Sequence, residues 1–261
     1  IVAADGEQVT LNANNIPNKN HGELAEFSSA GPRSGDSAVR PNVTAPGFSV
    51  LSADVGSGNL GRIDSGTSMA APHVAGVAAL AVQAHPDWDA QEIAASLVNT
   101  ADPEKVGGYD PTLAGGLVDP VEAVGASVVA YGDSTDVNGT AVRDAGLSFG
   151  YAESSTTFEA TRKVTLVNKG TETAQFTASS QPAEKSKKAT ISFSQEKITV
   201  PAGGSVDIDV KITVSASDVP SGVNSPNSPW FYEASGNLKF TGSGGKTLTM
   251  PYLLVPRSLS N

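Results

Sequence analysis

The sequence predicts an α/β unit followed by an all-β sandwich. Three observations carry this: residues 69–84 are apolar on every side, a capped amphipathic segment follows them, and after residue 126 the periodicity changes to two-residue alternation. A helix that is apolar all round needs cover all round, whereas alternation marks strands buried on one face. A chain of 261 residues holds one large domain or two ordinary ones. The change of period divides it into 1–132 and 133–261.

Residues 1–11 read as a strand, with Val9 and Leu11 on one face after the Asp5-Gly6 turn. A polar loop follows. Residues 27–32 and 40–47 each end on a proline or glycine corner. Residues 48–53 are expected to form a short buried strand, and the glycine-rich residues 54–65 a surface loop. In 69–84 the alanines and Gly76 keep the helix thin, and Pro72 sits near its first turn, where a missing N–H costs little. A second helix is predicted from Asp89, which forms a capping box with Glu92, to about Thr100, with Ile93, Leu97 and Val98 facing inward. Residues 115–120 then turn into a short third helix.

The alternation is clearest in Val206, Ile208, Val210, Ile212 and Val214, set against Asp207, Asp209, Lys211 and Thr213. Shorter strands are expected at 164–167, 174–178, 189–193, 197–200, 238–241 and 246–254, separated by glycine-rich turns. About seven strands in such a length indicate a β-sandwich. Trp230, Phe231 and Tyr232 cluster after a proline-rich loop and read as a core anchor rather than a sugar platform.

Composition removes several functions. The net charge of −10 argues against nucleic acid and against an anionic membrane as partner. The absence of cysteine excludes disulfides, thiolate metal sites and a cysteine nucleophile. No cofactor or metal is expected. No apolar run reaches about 18 residues, the length that would read as a membrane span.

The most informative stretch is 66–76, Gly-Thr-Ser-Met-Ala-Ala-Pro-His-Val-Ala-Gly. It sets the Ser68 hydroxyl where a Gly-Thr turn becomes a helix. Unpaired N–H groups and a partial positive charge there favour an anion beside Ser68. The alternative is that Thr67 or Ser68 only caps the helix.

This run closely resembles the serine-nucleophile signature of the subtilisin-like serine proteases, the subtilases. Residues 27–32 and 40–47 resemble blocks that precede that signature, with Asn42 where the family usually has Asp. Residues 89–126 resemble the closing portion of the catalytic domain. Residues 133–261 resemble the fibronectin type III-like domain that follows it in many large secreted subtilases. The resemblance implies a partial subtilisin-like fold, a parallel sheet with a buried central helix. It implies Ser68 as nucleophile, its N–H as an oxyanion donor, Gly66 and Thr67 as turn support, and Ile63, Asp64 and Ser65 on the leaving-group side of the cleft.

A serine nucleophile needs a histidine to take its proton and a carboxylate to orient that histidine. There are three histidines. His73, five residues after Ser68, lies about 140° round the same helix and reads as a buried structural residue. His85 lies about 25 Å along it and reads as a surface cation at the helix end. His21-Gly22 and Asp5-Gly6 lack the family's His-Gly-Thr-His and Asp-Ser/Thr-Gly surroundings. Asn12, Asn14 and Asn15 do not match its oxyanion asparagine. The resemblance therefore covers the second part of a subtilase, and these 261 residues are expected to lie within a longer secreted, extracellular or cell-surface protein. Its N-terminal portion would be the partner that supplies Asp, His and Asn, a polypeptide would be the substrate, and the portion in hand would be inactive alone. A catalytically silent scaffold or surface-binding protein is the competing reading.

Overall fold

The computed structural model describes residues 20–220 and 232–259. The strand expected at 1–11, the Asp5-Gly6 turn, Asn12, Asn14, Asn15, Trp230 and Phe231 lie outside them. The described residues are mostly β, with 41% strand and 18% helix. No helix among the described residues is long and apolar enough to cross a membrane.

The first part contains β1 (Val43–Thr44), β2 (Val50–Ala53), β3 (Gly61–Asp64), α1 (Thr67–Ala84), α2 (Ala90–Thr100), β4 (Gly116–Leu117) and α3 (Pro120–Val124). The three helices meet in a small core of Val77, Ala81, Ile93, Leu97, Val118 and Ala123. Helix α2 starts as its residues dictate: Asp89 Oδ1 accepts the Glu92 N–H and Glu92 Oε2 accepts the Asp89 N–H, both at 2.8 Å. Helix α3 starts on Asp119, which accepts the N–H groups of Val121 and Glu122 and meets Lys105 Nζ at 3.3 Å. The bond from the Glu122 N–H is the largest cause holding the Asp119 carboxyl below its ordinary range, with Lys105 adding to it.

Among the described residues, parallel pairing in this part is confined to β1 with β4 and an isolated Glu23–Gly107 bridge, so no extended parallel sheet is formed. Helix α1 is not buried on all sides: Leu80 is 49% and Val82 53% exposed, because α2 and α3 pack against one face of it only. Residues 48–53 are not buried either. Val50–Ala53 form β2, which pairs with β3 as a hairpin, and Phe48 just ahead of it is 72% exposed because no second layer among the described residues covers it. The loop expected across 54–65 is thereby shortened, its last residues being β3.

The second part contains β5 (Val128–Tyr131), β6 (Ser134–Val137), β7 (Thr140–Arg143), β8 (Leu147–Ser154), β9 (Thr157–Asn168), β10 (Ala174–Pro182), β11 (Thr190–Phe193), β12 (Lys197–Val200), β13 (Ser205–Ser215), β14 (Ala234–Gly242) and β15 (Thr247–Ser258). Two sheets, ordered β12-β10-β14-β15-β8 and β11-β13-β9-β5, enclose one core. The alternation of β13 lands as its pattern requires, with Ile208, Val210, Ile212 and Val214 buried. Strand β5 lies upstream of residue 133 yet pairs with β9 as the edge of the four-stranded sheet.

Helix α2 joins the two parts. Ala95 packs with Val129, Tyr131 and Ala145. Asn99, fully buried, accepts the Ala130 N–H at 2.7 Å and donates to the Thr249 carbonyl at 3.3 Å. Glu92 Oε1 meets Lys169 Nζ at 2.8 Å, so one carboxylate both caps the helix and holds the sandwich. Upstream, Val39 packs on Leu253 and Val255 of β15.

Candidate active site

The site is built from the turn between β3 and α1. Hairpin β2–β3 delivers Ile63, Asp64 and Ser65 to that turn, with Val50 opposite Asp64 and Leu51 opposite Ile63. Arg62 and Asp64 lie two apart on a strand and so share a face; their side chains meet at 3.1 Å. Asp64 Oδ1 accepts the Ser65 N–H at 2.9 Å, and Ser65 Oγ accepts the Ser49 N–H at 2.8 Å. Ile63 is 66% exposed. All three residues expected on the leaving-group side are thus held beside the turn, and Arg62, which sequence reasoning did not single out, is held with them.

The turn itself rests on Gly47. Its carbonyl accepts the Gly66 N–H at 2.8 Å, and a side chain at Gly47 would bring Cβ to 2.8 Å from the Gly66 oxygen and 3.3 Å from the Ala70 Cβ. Only glycine allows this approach without displacement. The proline-glycine corner at 46–47 was legible; the contact it makes 19 positions later was not.

Gly66 is the N-cap of α1, and no side chain caps the helix. The Gly66 carbonyl accepts the N–H groups of Met69 at 3.0 Å and Ala70 at 3.4 Å. Thr67 and Ser68 are the first two helical residues, both exposed. Their N–H groups and the Ser68 hydroxyl have no partner among the described residues, so neither hydroxyl serves as a cap. The arrangement offers a free hydroxyl beside two unpaired donors at a helix start, a setting that stabilises negative charge.

None of the histidines is brought to Ser68. His21 lies exposed in a turn ahead of β1. His73 is exposed rather than buried, since the side of α1 that carries it is uncovered; its Nδ1 donates to the Met69 carbonyl at 2.8 Å. His85 is the C-cap residue of α1 but is half-buried: its Nε2 donates to the Val124 carbonyl at 2.9 Å, and its ring stacks on Trp88 at 4.0 Å. It ties α1 to α3 rather than projecting free from the surface. Among the described residues no group of three or more His, Asp or Glu is placed to hold a metal ion.

The family model of the subtilases matches residues 5–195. This chain belongs to the subtilase family. A second match, to an Fn3-like domain, covers residues 149–253 of the subtilase chain and overlaps the first. Subtilisin-like protease SBT3.4 of Arabidopsis thaliana is 36% identical over 132 residues, 44% of this chain and 17% of the relative. Subtilisin-like protease SBT4.12 of the same plant is 33% identical over 145 residues, 50% of this chain and 20% of the relative. SBT4.14 is 39% identical over 92 residues, 31% of this chain and 12% of the relative. The subtilase chain thus spans a fifth or less of the length of these relatives. Among solved structures, a PapD-like domain of human CEP192 covers 52% of this chain and 87% of its own length at 13% identity, with a TM-score of 0.31, too low to carry an argument.

Proposed function

We propose that this chain carries the nucleophile of a secreted serine endopeptidase, which hydrolyses peptide bonds through an acyl-enzyme on Ser68. The observation that carries the reading is the state of Ser68: an exposed hydroxyl at an uncapped helix start, free of any structural bond among the described residues. Its Oγ attacks the scissile carbonyl carbon while a histidine takes the proton. The oxyanion accepts the Ser68 N–H, the leaving amine takes the proton back, and water then releases the acyl group. Ile63, Asp64 and Ser65, beside the turn, face the leaving portion of the substrate.

The histidine, its orienting aspartate and the oxyanion asparagine belong to an N-terminal portion of the same protease outside these residues. That portion completes a parallel α/β layer in which α1 is the central helix, and it covers Leu80, Val82 and the exposed face of the β2–β3 hairpin. Alone, the 261 residues are inactive.

The test is intact mass under denaturing conditions after native incubation with a fluorophosphonate probe. One adduct mapping to Ser68 when the N-terminal portion is present, and none in its absence, is the expected result. No adduct in either case would leave the silent-scaffold reading in its place.

A further inference from the structure

The loop leading to β4 meets the start of β14 in a polar seam. Glu233, Ser235 and Asn237 alternate along one face of the chain entering that strand. The Tyr109 hydroxyl donates to Asn237 Oδ1 at 2.9 Å. Thr112 Oγ1 lies 2.9 Å from Asp110 Oδ1 and 2.7 Å from Glu233 Oε2. Asp110 and Thr112 are buried, and the Thr112 N–H also donates to Asp110 Oδ1 at 3.1 Å.

Counting protons decides what this seam is. A threonine hydroxyl has one proton and an ionised carboxylate has none. With both carboxylates ionised, one of the two contacts sets lone pair against lone pair, the Asp110 contact being buried and the Glu233 contact part-buried. One added proton makes both contacts hydrogen bonds: the Glu233 carboxyl donates to Thr112 Oγ1, which donates to Asp110. Asp110 Oδ1 is the acceptor at the other end of that chain and takes the Thr112 N–H as well.

The surroundings favour that state. Asp110 is the charged group that faces Glu233. Lys187 meets Glu233 only through its backbone N–H, and its ammonium sits over the Tyr232 ring at 4.4 Å. Lys239 on β14 pairs with Glu104. Tyr109 stays neutral, since burial pushes its hydroxyl up to about 12. Burial likewise pushes the Glu233 carboxyl up to about 6, with the Asp110 charge adding to it and a bond donated by Thr112 to the ionised carboxylate opposing.

We propose that Glu233 holds a proton bridged through the Thr112 hydroxyl to Asp110, making this seam an acid-stabilised latch between the helical part and the sandwich. The sign follows from linkage. A carboxyl that binds its proton more tightly folded than unfolded, where its value is about 4.3, contributes fully below that value and loses the contribution as pH rises through the folded one.

The experiment is calorimetric unfolding of the purified protein from about pH 4.5 to 8, for wild type and for Glu233→Gln, whose amide still donates to Thr112 but does not titrate. The wild-type Tm should fall between the unfolded value of about 4.3 and the folded value of about 6 and level off above it, and the variant should lack that fall. Carbon-13 NMR of the wild-type carboxyl groups provides a second reading without any variant, with one glutamate expected to titrate near 6. Parallel pH profiles in the two proteins, or a Glu233 that titrates in the ordinary glutamate range, would overturn the latch.

Discussion

The Gly47 carbonyl and the Gly66 N–H, 19 positions apart, are joined by a 2.8 Å hydrogen bond that fixes the turn ahead of Ser68. Because a Cβ at position 47 would meet the Gly66 oxygen at 2.8 Å, Gly47→Ala must displace that turn. The expected cost is about 1–3 kcal/mol. Fluorophosphonate labelling of the complete protease should slow as well. Unchanged unfolding and labelling would show that the turn accommodates a methyl group.

Ser68→Ala should abolish labelling while leaving stability within about 0.5 kcal/mol of wild type. The prediction follows from a hydroxyl without a partner among the described residues. Thermal unfolding checks it: a clear loss of stability would assign Ser68 a structural bond.

Asn99→Ala should cost about 1–3 kcal/mol, because it strands the buried Ala130 N–H and the Thr249 carbonyl. Hydrogen exchange offers a local readout. Protection of the Ala130 amide should fall in the variant ahead of that in β13, and equal loss everywhere would mean that Asn99 only contributes globally.

Asp119 has a folded carboxyl pKa below its unfolded one, through the bonds that start α3 and through Lys105. Its stabilisation is therefore present above the unfolded value, about 3.9, and is lost as pH falls through the folded one. Asp119→Asn should remove this component, flattening the acid limb of a stability-against-pH curve. An acid limb identical to wild type would contradict it.

What the sequence disclosed and withheld divides along physical lines. The α2 cap was legible because Asp89 and Glu92 are three apart and act locally. The inner face of β13 was legible because five alternating positions repeat one message. Exposure of Phe48 and of one side of α1 was not, since burial depends on what packs against a segment rather than on its own residues. Hairpin β6–β7 carried an unused signal: Asn138 and Gly139, with φ of 52° and 82°, form the two-residue turn that Asn-Gly favours. Strand β5, Val-Val-Ala-Tyr, is buried on both faces and so shows no alternation. At the site, the motif located Ser68 and the Gly-Thr turn, whereas the support from Gly47 and Ser49 depends on the folded chain.

The position of β5 bears on any attempt to transplant the sandwich into another protein. A graft point after residue 132 would leave behind the edge strand of the four-stranded sheet and, with α2, the groups that bind Lys169 and the Thr249 carbonyl. The portable cassette begins no later than Asp89, so a recombinant donor segment has to carry part of the helical neighbourhood with it.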